Sequence, residues 1–258
     1  MPTNLANLNL ASNLGQPLAV DADLAVLLAA PGLVAFYDSS YGITLSSGVV
    51  SSWAPRTGTD TLTAAGAARP TYGSVSAGGK SGVVFDGASQ YIHLTSSTLA
   101  GVMDGAQAYS SLVVARTAGG STRATWGAGA QANAEYVREG VSSGADWRIR
   151  RTTASGSLAN TGTGAVGTSR PFLIANVYSG TAYNGYTNGV QTLTASANTR
   201  APVCNIFSIG ANFESGIAGY RFDGPIWCVL LSTSQWTTAQ REEIQRAANN
   251  YWNLGFRL

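Results

Sequence analysis

The chain has 258 residues, enough for one large β domain or two small ones. Hydrophobic residues make up 45% and charged residues only 11%, well under the roughly one quarter of an average protein, so solubility rests on Ser, Thr, Asn, Gln and 31 Gly. Plentiful aromatic and β-branched residues exclude a disordered chain, and a net charge of +2 without a basic stripe excludes broad nucleic-acid contact.

Residues 1–30 differ from the rest, with repeated Leu-Ala-Asn spacing, no aromatics and few charges. Asp21 is placed to cap a short helix running through Ala29 and stopped by Pro31-Gly32. The earlier Leu5, Leu8, Leu10 and Leu14 suit an extended or loosely helical arm. Such an arm either packs on its own domain or docks on a neighbouring subunit. No Lys or Arg precedes Arg56, so the basic start of a secretory signal is missing. The expectation is a protein that stays in the cytoplasm where it is made, or leaves by another route. The longest apolar run, 25–30, is far too short to span a bilayer.

From Leu33 onward the period becomes two. LVAFYD, GVVSSW, GVVFDG, QYIHLT, SSLVVART, AEYVREGV, DWRIRR, PFLIANVY, AYNGYTNG, CNIFSIGA and PIWCVLLS are short runs rich in Val, Ile, Tyr, Phe and Trp, separated by turn residues. TNGV at 187–190 carries a hairpin signal. This pattern predicts an all-β fold over residues 31–258: one antiparallel β-sandwich jelly roll behind an N-terminal arm of residues 1–30. One helix closes the chain. Thr237 and Gln240 form a capping-box pattern, Ile244, Ala247, Ala248 and Tyr251 make one apolar face, Glu242 and Arg246 are spaced to pair, and Gly255 is expected to end it.

Catalytic and metal signals are weak. Cys204 and Cys228 sit in apolar runs and read as free buried thiols, with a disulfide between neighbouring strands as the alternative. Two distant cysteines and a single histidine, His93, fit no metal spacing. His93 shares a strand face with Tyr91 and reads as a surface or edge residue; no Gly-x-Ser-x-Gly elbow occurs. Glycoside hydrolysis needs two carboxyl groups about 5 to 9.5 Å apart. Glu135 and Glu139 share a face, but four residues of strand put their backbones about 13 Å apart. GTGAVGT at 162–168 reads as a loop, since no Lys follows to hold a phosphate. No catalytic residue, metal ligand or cofactor is assigned.

Binding asks less of a sequence. Arg148 and Arg150 share one strand face, which is either solvated or a contact for phosphate or an anionic sugar. Trp126, Tyr136, Trp147, Tyr183 and Tyr186 lie in polar contexts and are the candidate carbohydrate-stacking residues, with core packing as the alternative for each.

The C-terminal stretch resembles the end of concanavalin A-like lectin/glucanase domains of the LamG-like jelly-roll type. The matching residues are Phe222, Asp223, Gly224 and Ile226, then Gln240, Arg241, Glu242, Ile244, Tyr251, Trp252 and Gly255. GLVAFYD (32–38), GVVSSW (48–53), ARPTY (68–72), GVVFDGASQYI (82–92), YTNGV (186–190) and IFSIGA (206–211) follow the family order. The chain departs from it at Cys228, where an acidic residue is frequent, and lacks the Glu-x-Asp-x-Glu-like strand of catalytic members. The resemblance implies a concanavalin A-like fold and a non-enzymatic protein. Because such domains are frequent on phage surfaces, it implies a virion protein of a tailed bacteriophage, either capsid decoration or tail fibre. That reading makes the protein a homo-oligomer, docked to other virion proteins through residues 1–30, with its outer domain available to cell-surface glycans. The alternative is a carbohydrate-binding or adhesive module of a bacterial surface protein. Neither reading involves nucleic acid or membrane insertion.

Overall fold

The structure is a computed structural model that describes residues 21–119, 121–142, 146–166, 168 and 170–258, with the side chains of 163–165 outside that description. The chain begins with α1 (Ala22–Leu28), β1 (Leu33–Asp38), β2 (Ile43–Ser46), β3 (Val49–Trp53) and β4 (Leu62–Thr63). Next come β5 (Thr71–Ala77), β6 (Lys80–Asp86), β7 (Ile92–Thr95) and the short α2 (Thr98–Val102). The middle of the chain supplies β8 (Tyr109–Ala115), β9 (Arg123–Gly129), β10 (Tyr136–Val141), β11 (Asp146–Thr153) and β12 (Gly156–Ala165). After these run β13 (Phe172–Tyr178), β14 (Ala182–Thr187), β15 (Val190–Ala197) and β16 (Ile206–Ile209). The chain closes with β17 (Asn212–Glu214), β18 (Ile217–Gly219), β19 (Asp223–Ser232) and α3 (Thr238–Tyr251).

Seventeen strands form one antiparallel ladder that folds into two layers. The back layer runs β15-β14-β13-β8-β19, and the far edge of β19 is shared by β6 and β1. The front layer runs β4-β7-β16-β9-β10-β11-β12. The layers connect at one edge, where β3 pairs with both β5 and β4. β17 and β18 form a separate hairpin. The expected antiparallel sandwich with one C-terminal helix is what the chain builds.

Two apolar clusters hold it together. The larger fills the space between the layers, with Tyr37, Trp53, Val113, Trp126, Val137, Trp147, Ile149, Phe172, Phe207, Val229 and Leu231. The smaller lies on the outer face of the back layer, where Phe36, Leu112, Val114, Leu173, Trp227 and Leu230 meet Leu27, Ile244, Ala247, Ala248 and Trp252. β8 explains its own run of apolar residues: Val113 and Ala115 enter one cluster and Leu112 and Val114 the other. A strand buried on both faces has no polar side to alternate.

α3 starts with the complete capping box, Thr237 accepting from Gln240 N while the Gln240 side chain accepts from Thr237 N. Thr237→Ala removes one half of that exchange. It is expected to lower stability by about 1 kcal/mol, measured as a shift in the denaturant midpoint.

Several expectations are corrected. Glu242 pairs with Arg241 at 2.9 Å, not with Arg246. The helix ends at Tyr251, four residues before Gly255: Asn253 takes the left-handed conformation (φ 47°), which asparagine tolerates. GTGAVGT begins inside β12 rather than in a loop. α1 forms with Asp21 as its cap, and Leu27 and Ala30 are buried in the outer cluster. Residues 21–30 therefore belong to the domain rather than to a separate arm. Leu5, Leu8, Leu10 and Leu14 lie outside the described residues. Cys204 and Cys228 are free and buried, one between the layers and one outside them. Among the described residues, no helix is long and apolar enough to cross a membrane.

Candidate functional site

A sandwich has two outer sheet faces, and α1 and α3 seal the one on the back layer. The front layer's outer face is the one left to present side chains. Alternation along its strands sorts the residues. Trp126, Ala128, Val137, Val141, Trp147 and Ile149 point into the core. Gly127, Gly129, Tyr136, Arg138, Arg148, Arg150 and Thr152 take the opposite parity.

Strand register lines these residues up across the sheet. His93, Ser208, Gly127, Arg138 and Arg150 are successive cross-strand partners on β7, β16, β9, β10 and β11. The next row runs Thr95, Ile206, Gly129, Tyr136 and Thr152. The β17–β18 hairpin lies over the first half of both rows. A Cβ on Gly127 would sit 2.9 Å from Asn212 Oδ1, and one on Gly129 would sit 2.0 Å from the Phe213 carbonyl oxygen. Only glycine lets the hairpin settle so close. Under it, His93 stacks on Phe213 at 4.9 Å, and burial lowers its pKa. His93 is therefore half-buried beneath the hairpin, not the surface or edge residue expected.

The second half, over β10 and β11, is a strip of alternating cations and rings. The Arg138 guanidinium lies 3.4 Å from the Tyr220 ring centre and 5.7 Å from that of Tyr136. Arg150 lies 6.0 Å from the Tyr136 ring centre. Such contacts hold guanidinium groups without neutralising them. Arg148 donates to Thr161 Oγ1 at 3.1 Å and Arg150 to Ser157 Oγ at 2.7 Å. Arg138 Nη1, Arg150 Nε, Thr152 Oγ1 and both amide atoms of Asn212 have no hydrogen-bond partner. Buried polar atoms are nearly always partnered, so each of these is free to bond a ligand that reaches it.

The five aromatic residues expected to stack on sugars do not form a platform. Trp126, Trp147 and Tyr183 are buried between the layers. Their polar ends are satisfied there: Trp126 donates to Glu139 at 3.0 Å, Trp147 to Asn176 at 3.2 Å, and the Tyr183 hydroxyl meets that of Tyr109 at 2.7 Å. Each occupies a strand position whose side chain faces the opposing layer, so substitution would open a core cavity, not remove a ligand contact. Tyr186 lies on the back layer, 3.8 Å from the Arg241 guanidinium of α3. Only Tyr136 of the five is on the front face, where it is 2% exposed and packed near Arg138 and Arg150. The exposed ring beside Arg138 is Tyr220, in the segment after β18, which the sequence did not single out.

The two glutamates do not face each other across a groove. Glu139 is sealed in the core, accepting from Ser111 and Trp126, and burial pushes its carboxyl up to about 7 against those hydrogen bonds. Glu135 accepts from the Ala154 and Val203 amides. Among the described residues, no group of three His, Cys, Asp or Glu side chains could hold a metal ion.

The fold is an antiparallel β-sandwich, covered by helices on its back sheet and by the β17–β18 hairpin over part of its front sheet. No protein-family model matches the chain, and no curated protein does. Solved structures do. The CBM40 of Ruminococcus gnavus IT-sialidase, bound to α2,3-sialyllactose, superposes with a TM-score of 0.51 at 14% identity, over 68% of this chain and 96% of that one. Domain 4 of AbnA, an extracellular arabinanase of Geobacillus stearothermophilus, in complex with arabinotriose, gives 0.55 at 15% identity, over 84% and 98%. Trypanosoma rangeli sialidase gives 0.57 at 14% identity over 84% of this chain, which spans 33% of that protein. At these identities the likeness is one of fold.

Proposed function

We propose that this protein is a non-catalytic carbohydrate-binding module whose ligand lies on the front face over β10 and β11. The observation that carries the reading is the contrast between the two outer sheet faces. One is sealed by helices; the other presents an exposed ring at Tyr220 beside arginines with unpartnered donors. A flat ring with directional donors beside it suits a sugar, which offers an apolar ring face and a rim of hydroxyls. Two of the similar structures are of domains in complex with saccharides, which supports the same reading. Burial of Glu139 keeps it away from any ligand on this face. The virion role, with its homo-oligomer and its docking arm, is a separate proposal supported by the sequence resemblance alone. The carbohydrate reading does not depend on it.

The test is a glycan array probed with the full chain, with Tyr220→Ala, and with Tyr186→Ala as the control on the opposite face. The chain and Tyr186→Ala are expected to bind the same glycans, and Tyr220→Ala to lose most of that binding. A chain that binds no glycan defeats the reading. Loss in Tyr186→Ala with retention in Tyr220→Ala moves the site off the front face.

A further inference from the structure

The front strip concentrates positive charge in a chain that is almost neutral. Arg138, Arg148 and Arg150 sit together on β10 and β11, and Arg138 pairs directly with Arg150 across the strands. Directly opposed like charges destabilise a strand pair unless something offsets them. Arg148 and Arg150 each donate to a neutral hydroxyl, of Thr161 and Ser157.

Arg138 is the most unusual of the three. It is 3% exposed, its guanidinium packs on the Tyr220 ring with Tyr136 nearby, and its Nη1 has no partner. Burial holds its pKa below the ordinary value, and the charge of Arg150 acts in the same direction. A buried cation without a counter-ion is costly, and a bound anion would offset that cost. The guanidinium fork matches the paired oxygens of a carboxylate or sulfate. Neighbouring Tyr220 supplies the flat surface that a sugar ring needs, which an inorganic anion does not.

We propose that the strip over β10 and β11 selects anionic saccharides. A carboxylate or sulfate on the sugar sits over the Arg138–Arg150 pair with Arg148 beside it, and the ring rests on Tyr220. This rests on the carbohydrate-binding reading above and adds the class of ligand.

The experiment is calorimetry of the full chain against matched pairs: a sialylated oligosaccharide and its desialylated form, a polyuronate and its neutral counterpart, a sulfated glycan and its desulfated form. At least one charged member is expected to bind, its neutral partner not, with affinity falling as salt is raised. The pair that binds identifies carboxylate or sulfate. Arg150→Gln and Arg148→Gln, each shown by thermal unfolding to be folded, are expected to weaken binding about tenfold. These half-buried residues are chosen over Arg138, whose replacement disturbs packing. Equal binding to charged and neutral members overturns the anion selectivity and leaves the carbohydrate reading standing. No binding to any saccharide overturns both. Charge-selective binding that neither variant weakens overturns the placement on this strip.

Discussion

Replacing Arg151 with methionine is expected to lower stability by about 3 kcal/mol or more, because this guanidinium closes a set of backbone acceptors in the core. Arg151 is fully buried. Its Nε donates to the Arg200 carbonyl at 2.7 Å, its Nη1 to the Tyr183 hydroxyl at 3.2 Å, and its Nη2 to the carbonyls of Met103, at 3.2 Å, and Gly105. The plane lies 4.5 Å from the Tyr178 ring centre. One side chain thus ties the end of α2 and the segment after β15 to the centre of β11. Methionine fills similar space but leaves these acceptors without a donor, and that loss outweighs relief from burying a charge. For a domain of this size the loss corresponds to a fall in Tm of roughly 6–12 °C. Differential scanning calorimetry reads it directly; an unchanged Tm would show that the carbonyls find other donors.

The second large effect is a pH dependence centred on Glu139. Burial raises its carboxyl from 4.5 to about 7, opposed by hydrogen bonds from Ser111, Trp126 and Tyr109. The folded chain therefore holds a proton between pH 4.5 and 7 that the unfolded chain has already lost. Stability from this group is full below about 4.5 and is lost as pH rises through about 7. The difference amounts to about 3 kcal/mol once both states are ionised. Glu139→Gln removes the titration while keeping an oxygen that can accept from Ser111 and Trp126. Measured by denaturant unfolding from pH 4 to pH 8, the variant is expected to gain on the natural chain steadily across that window. Parallel stability curves would sink the assignment.

Both residues show where sequence reading stops. Arg151 belongs to the run Trp147-Arg148-Ile149-Arg150-Arg151, which shows three arginines and suggests a basic strand face. Alternation puts Arg148 and Arg150 outside and Arg151 inside with Trp147 and Ile149. The parity was legible. The acceptors that make an inward arginine tolerable come from residues 46 to 49 positions away, and no local pattern announces them. Glu139 is similar: its partners Ser111 and Trp126 lie on β8 and β9. A glutamate in an alternating strand looks like a candidate acid until those strands close over it.

The strands missed by their composition tell the same story. β5, β9 and β12 are rich in Gly, Ala, Ser and Thr, so they lack the apolar runs that marked β1, β8, β13 and β19. Neighbouring strands pair with them regardless, since backbone hydrogen bonds need no particular side chain.

By itself the sequence determined the all-β class, the capped helices α1 and α3, and the side of each well-patterned strand that faces inward. These follow from local geometry: a period of two, a period of 3.6, and side chains that reach their own backbone. Only the tertiary structure decided that Trp126, Trp147 and Tyr183 are core, that Arg138 stands opposite Arg150, and that Tyr220 lies against Arg138. Those facts depend on which strands become neighbours and in what register. Register joins residues far apart in the chain, and it is set by the packing of the whole sandwich.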